Sequence, residues 1–159
     1  MLFRSGELRF EGEYLNGERN GKGKEYYFDN NIRFEGEFIN GKKWNGKGYN
    51  KNGNIEYEIK DGKGDIKEYD SEGKLVFEGE YLNGERKGKG QEYNKYGIVI
   101  FKGEYLNGKK WNGKVKEYFN GKLEFEGEYL NGKRNGKGKE YDIDGKLEFE
   151  GEYLNGKRK

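Results

Sequence analysis

The chain has 159 residues, with 32 basic side chains against 30 acidic ones and a net charge of +2, so it has no general attraction for nucleic acid. It contains no Cys and no His, which removes disulfides, thiolate metal sites and the commonest metal ligand and general base. Thr, Ala and Pro are also absent and Ser occurs only at Ser5 and Ser71, so a hydroxyl nucleophile activated by His cannot be assembled.

The composition therefore predicts a protein that is not an enzyme, with no cofactor and no metal. No window approaches the roughly 18 apolar residues of a membrane span. The start, Met1-Leu2-Phe3-Arg4-Ser5-Gly6-Glu7, lacks the apolar core of a signal peptide, and the expected location is cytoplasmic. Low aliphatic content would suggest disorder, but aromatics make up 16% of the chain. They recur at fixed spacing beside a balanced charge, which predicts order in something thin and extended.

Along the chain the phrase FEGEYLNG, or a near copy, begins at Phe10, Phe34, Phe77, Phe101, Phe125 and Phe149. The spacings are 24, 43, 24, 24 and 24, and a shortened unit starting at Tyr57 divides the long gap. The units thus start near 10, 34, 57 (short), 77, 101, 125 and 149 (half), and predict one repeat array over residues 1–159. The units carrying Trp44 and Trp111 read GKKWNGK, with one more turn residue than the others.

Within a unit the pattern is that of strands. Leu147, Phe149, Gly151 and Tyr153 alternate with Glu148, Glu150 and Glu152, giving one aromatic and glycine face and one carboxylate face. An Asn-Gly turn follows, then a returning Lys/Gly strand such as Lys137 to Tyr141, then a second turn from Asp142 to Gly145. The result is an antiparallel meander with two turns per unit, whose glycines at 12, 36, 79, 103, 127 and 151 let aromatic rings lie on bare backbone. The phase of the Lys/Gly strand is left open by Glu140 and Tyr141, which break simple alternation.

The units resemble MORN repeats, the "membrane occupation and recognition nexus" motif. Phe10-Glu11-Gly12-Glu13-Tyr14-Leu15-Asn16-Gly17 with Gly21-Lys22-Gly23, and Phe125 to Gly132 with Gly136-Lys137-Gly138, follow that pattern. Departures are Tyr or Phe for the usual Trp (Tyr14, Phe38, Tyr105), Asn for His (Asn20, Asn135), Val115 for a glycine, and the missing Asn-Gly hairpin after Tyr57. The resemblance implies an all-β, elongated, single-layer twisted antiparallel sheet of stacked hairpins. It also implies a non-catalytic scaffold role in protein–protein interaction and oligomerisation, in some members with phospholipid or membrane association.

Phosphate-binding loops are suggested by Gly41-x-x-x-x-Gly46-Lys47 and Gly108-x-x-x-x-Gly113-Lys114, but no Ser or Thr and no helix follows, so these are hairpin turns. The recurrent Glu runs read as a solvated face balanced by Lys. Trp44 and Trp111 cover their bulged turns or serve as aromatic recognition residues.

Alternate turns of a meander fall on opposite edges. One edge collects Arg19, Lys42, Lys43, Arg86, Lys87, Lys109, Lys110, Lys133 and Arg134, with Lys157 and Arg158. The other collects Asp29, Asn30, Asn52, Asp70, Glu72, Asn94, Asp142 and Asp144. The basic edge is a candidate partner-binding rail for an acidic protein or an anionic lipid. Strands near Leu8 to Tyr14 and Phe149 to Leu154 keep the repeat sequence, which predicts self-association through open edges. The competing readings are a carbohydrate-binding hairpin array of a secreted protein and a designed or fragmentary repeat.

Overall fold

The computed structural model describes residues 9–159; the segment read for a leader and the Leu8 end of the first strand lie outside them. Among the described residues there are strands and turns and no helix.

The chain divides into two compact units, Met1–Arg86 and Lys87–Lys159. The first holds a five-stranded antiparallel sheet in chain order, made of β1 (Phe10–Leu15), β2 (Glu18–Tyr26), β3 (Ile32–Ile39), β4 (Lys42–Tyr49) and β5 (Ile55–Ile59). It also holds the hairpin of β6 (Gly64–Tyr69) with β7 (Leu75–Leu82).

The remaining strands are β8 (Glu85–Tyr93), β9 (Val99–Leu106), β10 (Lys109–Phe119), β11 (Lys122–Leu130), β12 (Lys133–Tyr141), β13 (Leu147–Leu154) and β14 (Lys157–Arg158). Each pairs antiparallel with the next. This is the meander that the period-2 pattern predicts, and it does not close into a barrel.

Turn chemistry sets the hairpins. Asn131 and Gly132 have φ of 52° and 75°, the left-handed pair that a two-residue turn matching the strand twist needs. At the opposite edge Asp142 Oδ1 accepts hydrogen bonds from the N–H groups of Asp144 at 2.9 Å and Lys146 at 2.8 Å. Asn50, Asp70 and Asn94 do the same, so these edge residues hold their own turns.

Consecutive Asn-Gly turns are also tied together. The Gly132 N–H donates to the Trp111 carbonyl at 2.8 Å. The Asn131 N–H donates to Asn112 Oδ1 at 2.9 Å. Asn45 and Asn20 play the same part toward Asp61 and Asn40. Asn112→Ala is therefore expected to lose about 1 kcal/mol, read as a lowered midpoint in thermal unfolding, with the circular dichroism of the folded state unchanged.

The core is a row of rings over glycines. Phe10, Phe34, Phe77, Phe101 and Phe125 are almost wholly buried. Gly12 pairs with Gly23, Gly23 with Gly36 and Gly36 with Gly46 across β1 to β4. Gly127, Gly138 and Gly151 repeat this across β11 to β13. A Cβ at Gly12 would stand 2.6 Å from Gly23 Cα and 2.8 Å from Phe10 Cζ. Only glycine fits between ring and backbone there.

In the Trp units the glycine of the Phe strand meets backbone rather than the expected ring. A Cβ at Gly36 or Gly103 would meet the carbonyl oxygen of Asn45 or Asn112 at 2.0 or 2.1 Å, while Gly46 lies under Phe34. The Lys/Gly strand also acquires its phase. Arg134 and Glu140 share the ring side with Gly138, and the Tyr141 hydroxyl reaches Glu126 on the other side.

The short unit breaks the ladder. The register sets Gly46 opposite Ile59 and Ile66 opposite Gly79, so isoleucines occupy both glycine positions. Between β5 and β6 only the Lys60–Lys63 bridge forms, closed by an Asp61-Gly62 turn in place of Asn-Gly. The displaced Ile59 and Ile66 side chains instead join Phe34, Phe38 and Tyr57 in one buried cluster, with Tyr81 against it.

Candidate interaction surface

On the ring side a phenylalanine, a cation from the following strand and a carboxylate come together repeatedly. The Arg134 guanidinium lies 4.1 Å above the Phe125 ring centre, with Nη2 2.5 Å from Glu117 Oε2 and Nη1 3.3 Å from Glu140 Oε1. Arg86 stands 4.1 Å over Phe77 and pairs with Glu68 at 2.6 Å. Lys110 lies 5.6 Å from the Phe101 centre and 3.0 Å from Glu92.

Arg19 over Phe10 and Lys43 over Phe34 both converge on Glu25, at 2.5 and 2.8 Å, and Arg33 reaches the same carboxylate at 3.6 Å. A cation held over a ring face and paired with a partly desolvated carboxylate is stabilised twice.

Protonation follows from this packing. Burial alone would push the Glu25 carboxyl up, but the charges of Lys43, Arg33 and Arg19 outweigh it and hold the group at about 2. Glu68 and Glu117 are lowered in the same way, burial opposing and the hydrogen bonds from Arg86 and Arg134 prevailing.

The residues of the basic edge thus divide into two sets. Arg19, Lys43, Arg86, Lys110 and Arg134 turn onto the rings. Lys42 pairs with Glu85 at 2.5 Å. Lys87, Lys109 and Lys133 are exposed, and none of these three forms an ion pair among the described residues.

Trp44 is partly buried against Gly62, where a Cβ would meet its ring at 2.8 Å. Trp111 lies at the Gly132 turn, its Cε3 3.9 Å from that Cβ position. The paired carboxylates Glu25, Glu68, Glu92, Glu117 and Glu140 were not singled out from the sequence. Their signal is the Glu-Tyr dipeptide that recurs toward the end of β2, β6, β8, β10 and β12, while β4 ends in Gly48-Tyr49.

The opposite side carries the alternating Lys and Glu residues. Lys24–Glu35, Lys47–Glu58 and Lys139–Glu150 pair across strands at 3.1, 3.4 and 3.5 Å. Each unit has a groove floored by glycines between such rows: that of residues 11–37 has a volume of about 400 Å³, and that of residues 98–152 about 860 Å³. Among the described residues no group of His, Cys, Asp or Glu is arranged to hold a metal ion, and no helix is long and apolar enough to cross a membrane.

The MORN repeat profile matches residues 10–32, 34–48, 77–95 and 125–146. The short unit and the unit beginning at Phe101 lie between these stretches. No curated protein matches the chain. Four copies of this motif, on consecutive antiparallel hairpins with the ring and glycine packing described, establish that the chain belongs to the MORN-repeat family.

Proposed function

We propose that this protein is a non-catalytic scaffold that binds a protein partner through its turn edge and associates with further copies of itself. Anionic phospholipid is a second ligand of the same edge. MORN repeats commonly serve as interaction or membrane-associated modules. The observation that carries the reading is the division of the basic edge. One set of cations is taken up by rings and carboxylates, while Lys87, Lys109 and Lys133 are left exposed on successive units with no ion pair among the described residues.

Trp44 and Trp111, partly exposed beside the bulged turns, supply apolar contact. The protein acts in the cytoplasm, peripheral to a membrane or cytoskeletal structure. The carbohydrate reading has less support, because the rings that would stack on sugars are the most buried side chains of the chain.

The test is co-sedimentation with phosphatidylcholine vesicles with and without phosphatidylserine, and capture of partners from the source cell, each over a range of salt. Binding is expected to weaken steeply with ionic strength and to be lost in a Lys87→Glu/Lys109→Glu/Lys133→Glu variant whose circular dichroism is unchanged. Full binding by that variant would move the site off this edge. Sedimentation velocity across protein concentration tests self-association, and a strictly monomeric species would remove it.

A further inference from the structure

The repeats act as internal controls for one another. After its leading aromatic residue every other unit places a glutamate, Glu11, Glu35, Glu58, Glu78, Glu126 or Glu150, whereas the unit at Phe101 has Lys102. Two and four residues earlier the same strand face carries Ile100 and Ile98, where the next units carry Glu124 and Lys122, then Glu148 and Lys146. Two alternate positions on one face of β9, and Ile98 just before it, have thus exchanged a charge ladder for two apolar residues and a reversed charge.

The structure places that exchange where it alters the groove. Lys102 stands directly opposite Lys114 across the β9–β10 pair, at the register position where Glu35 faces Lys47 in the first sheet. Its other neighbour is Gln91. Lys102, Lys114 and Lys116 are exposed and form no ion pair among the described residues. Like charges placed opposite one another in a sheet are unfavourable, so this arrangement weakens the fold that it sits in.

The three lysines border the end of the larger groove, whose accessible apolar side chains there are Ile98 and Ile100, and whose floor runs over the Val115 backbone onto Gly127 and Gly138. In residues 11–37 the smaller groove is bordered by paired Lys and Glu with no aliphatic residue.

We propose that this groove binds an acidic, amphipathic polypeptide segment of a protein partner. Its carboxylates would meet Lys102, Lys114 and Lys116, and its apolar side chains would rest on Ile98 and Ile100. The glycine floor lets a main chain approach closely. Charge complementarity selects the occupant. A continuous anionic surface such as a bilayer would have to cover Glu126 and Glu128, which stand opposite Lys116 and Lys114 on β11, and Glu150 and Glu152 beyond them, whereas a narrow segment lying along β9 and β10 leaves them uncovered. The inference rests on the scaffold reading and assigns it a second surface, distinct from the turn edge.

The experiment is fluorescence anisotropy of a labelled peptide alternating Glu with Leu, against the same peptide with Lys in place of Glu. The intact chain is expected to bind the acidic peptide only. Lys102→Glu should weaken binding by about tenfold or more while raising the melting temperature, because it replaces the like-charge Lys102–Lys114 pair by an opposite-charge one. A residue serving only the fold would not improve stability when replaced. Ile100→Glu should also weaken binding, and the Lys87→Glu/Lys109→Glu/Lys133→Glu variant should retain it.

Failure of the acidic peptide to bind, or unchanged affinity in Lys102→Glu, overturns the proposal. Loss only in the edge variant overturns it while leaving the scaffold reading intact. Phosphatidylserine vesicles that bind in a Lys102-dependent manner and displace the peptide would make this a membrane site instead.

Discussion

Glu25→Ala is expected to lower the stability of the fold by about 3–5 kcal/mol, the scale for removing one partner of a buried charge cluster. The side chain is only 5% exposed. Its carboxylate faces Arg19, Lys43 and Arg33 at 2.5, 2.8 and 3.6 Å. Arg19 and Lys43 are held in place by the Phe10 and Phe34 rings. Without the carboxylate, the three cations repel one another at a site that water reaches poorly. Urea unfolding measures the loss. Glu85→Ala, which removes only the exposed partner of Lys42, is the comparison and should cost under about 1 kcal/mol. Equal effects of the two would mean that Glu25 is far better solvated than its packing indicates.

The same site sets the acid limb of stability. Glu25 is held at about 2 in the folded protein, against an ordinary value of 4.5. A carboxyl lowered by folding contributes stability that is fully present above the unfolded value and lost as pH falls through the folded one. The loss should therefore develop from about pH 4.5 downward toward pH 2, and Glu25→Gln should flatten that limb. Glu68, Glu117 and Glu140 are lowered as well and act in the same sense. At the alkaline end Tyr129, pushed up to about 12 mainly by burial and then by its hydrogen bond to Glu117, contributes stability that is lost as pH rises through that value.

The strands, the turns and the ring over Gly127 were legible in the sequence because each rests on a local rule: alternation for the faces, Asn-Gly for the left-handed turn, and glycine two residues after an aromatic for the covered backbone. The direction of the edge cations was not legible. Alternation along β12 puts Arg134 on the ring side and Lys133 on the other, but that assignment needs the phase of the Lys/Gly strand. Glu140 and Tyr141 decide that phase only once Glu140 is seen to meet Arg134 over the Phe125 ring.

The interruption after β5 was hidden for a different reason. The short unit was visible, but that Ile59 and Ile66 take glycine positions appears only when each is aligned with its neighbouring strand. Register is a property of pairs of strands, and a single strand does not display it. The exchange at Ile98, Ile100 and Lys102 was available to inspection, yet its meaning depends on Lys114 standing opposite.

Gly127→Val is expected to destabilise the protein by about 1–3 kcal/mol, the scale for overpacking a filled core. A Cβ at Gly127 would lie 2.6 Å from Phe125 Cζ, 2.8 Å from the Lys137 carbonyl oxygen and 2.9 Å from Gly138 Cα. Ring and backbone would both have to move. Gly138 offers the internal comparison, because the nearest atoms to a Cβ there are ring carbons only, of Phe125 at 2.6 and 2.8 Å and of Tyr153 at 2.9 Å. Shrinking the ring should therefore rescue the two sites unequally. With Phe125→Leu in the background, Gly138→Ala should cost much less than it does beneath the intact ring. Gly127→Ala should keep most of its penalty, since the Lys137 carbonyl and the Gly138 backbone are still in the way. Such a difference is a coupling between neighbours, which a double-mutant cycle measured by thermal or urea unfolding reads directly. Equal rescue at both positions would mean that the strands separate easily and that the ring alone enforces glycine. No penalty at either position would mean that the rings do not lie on the backbone at all.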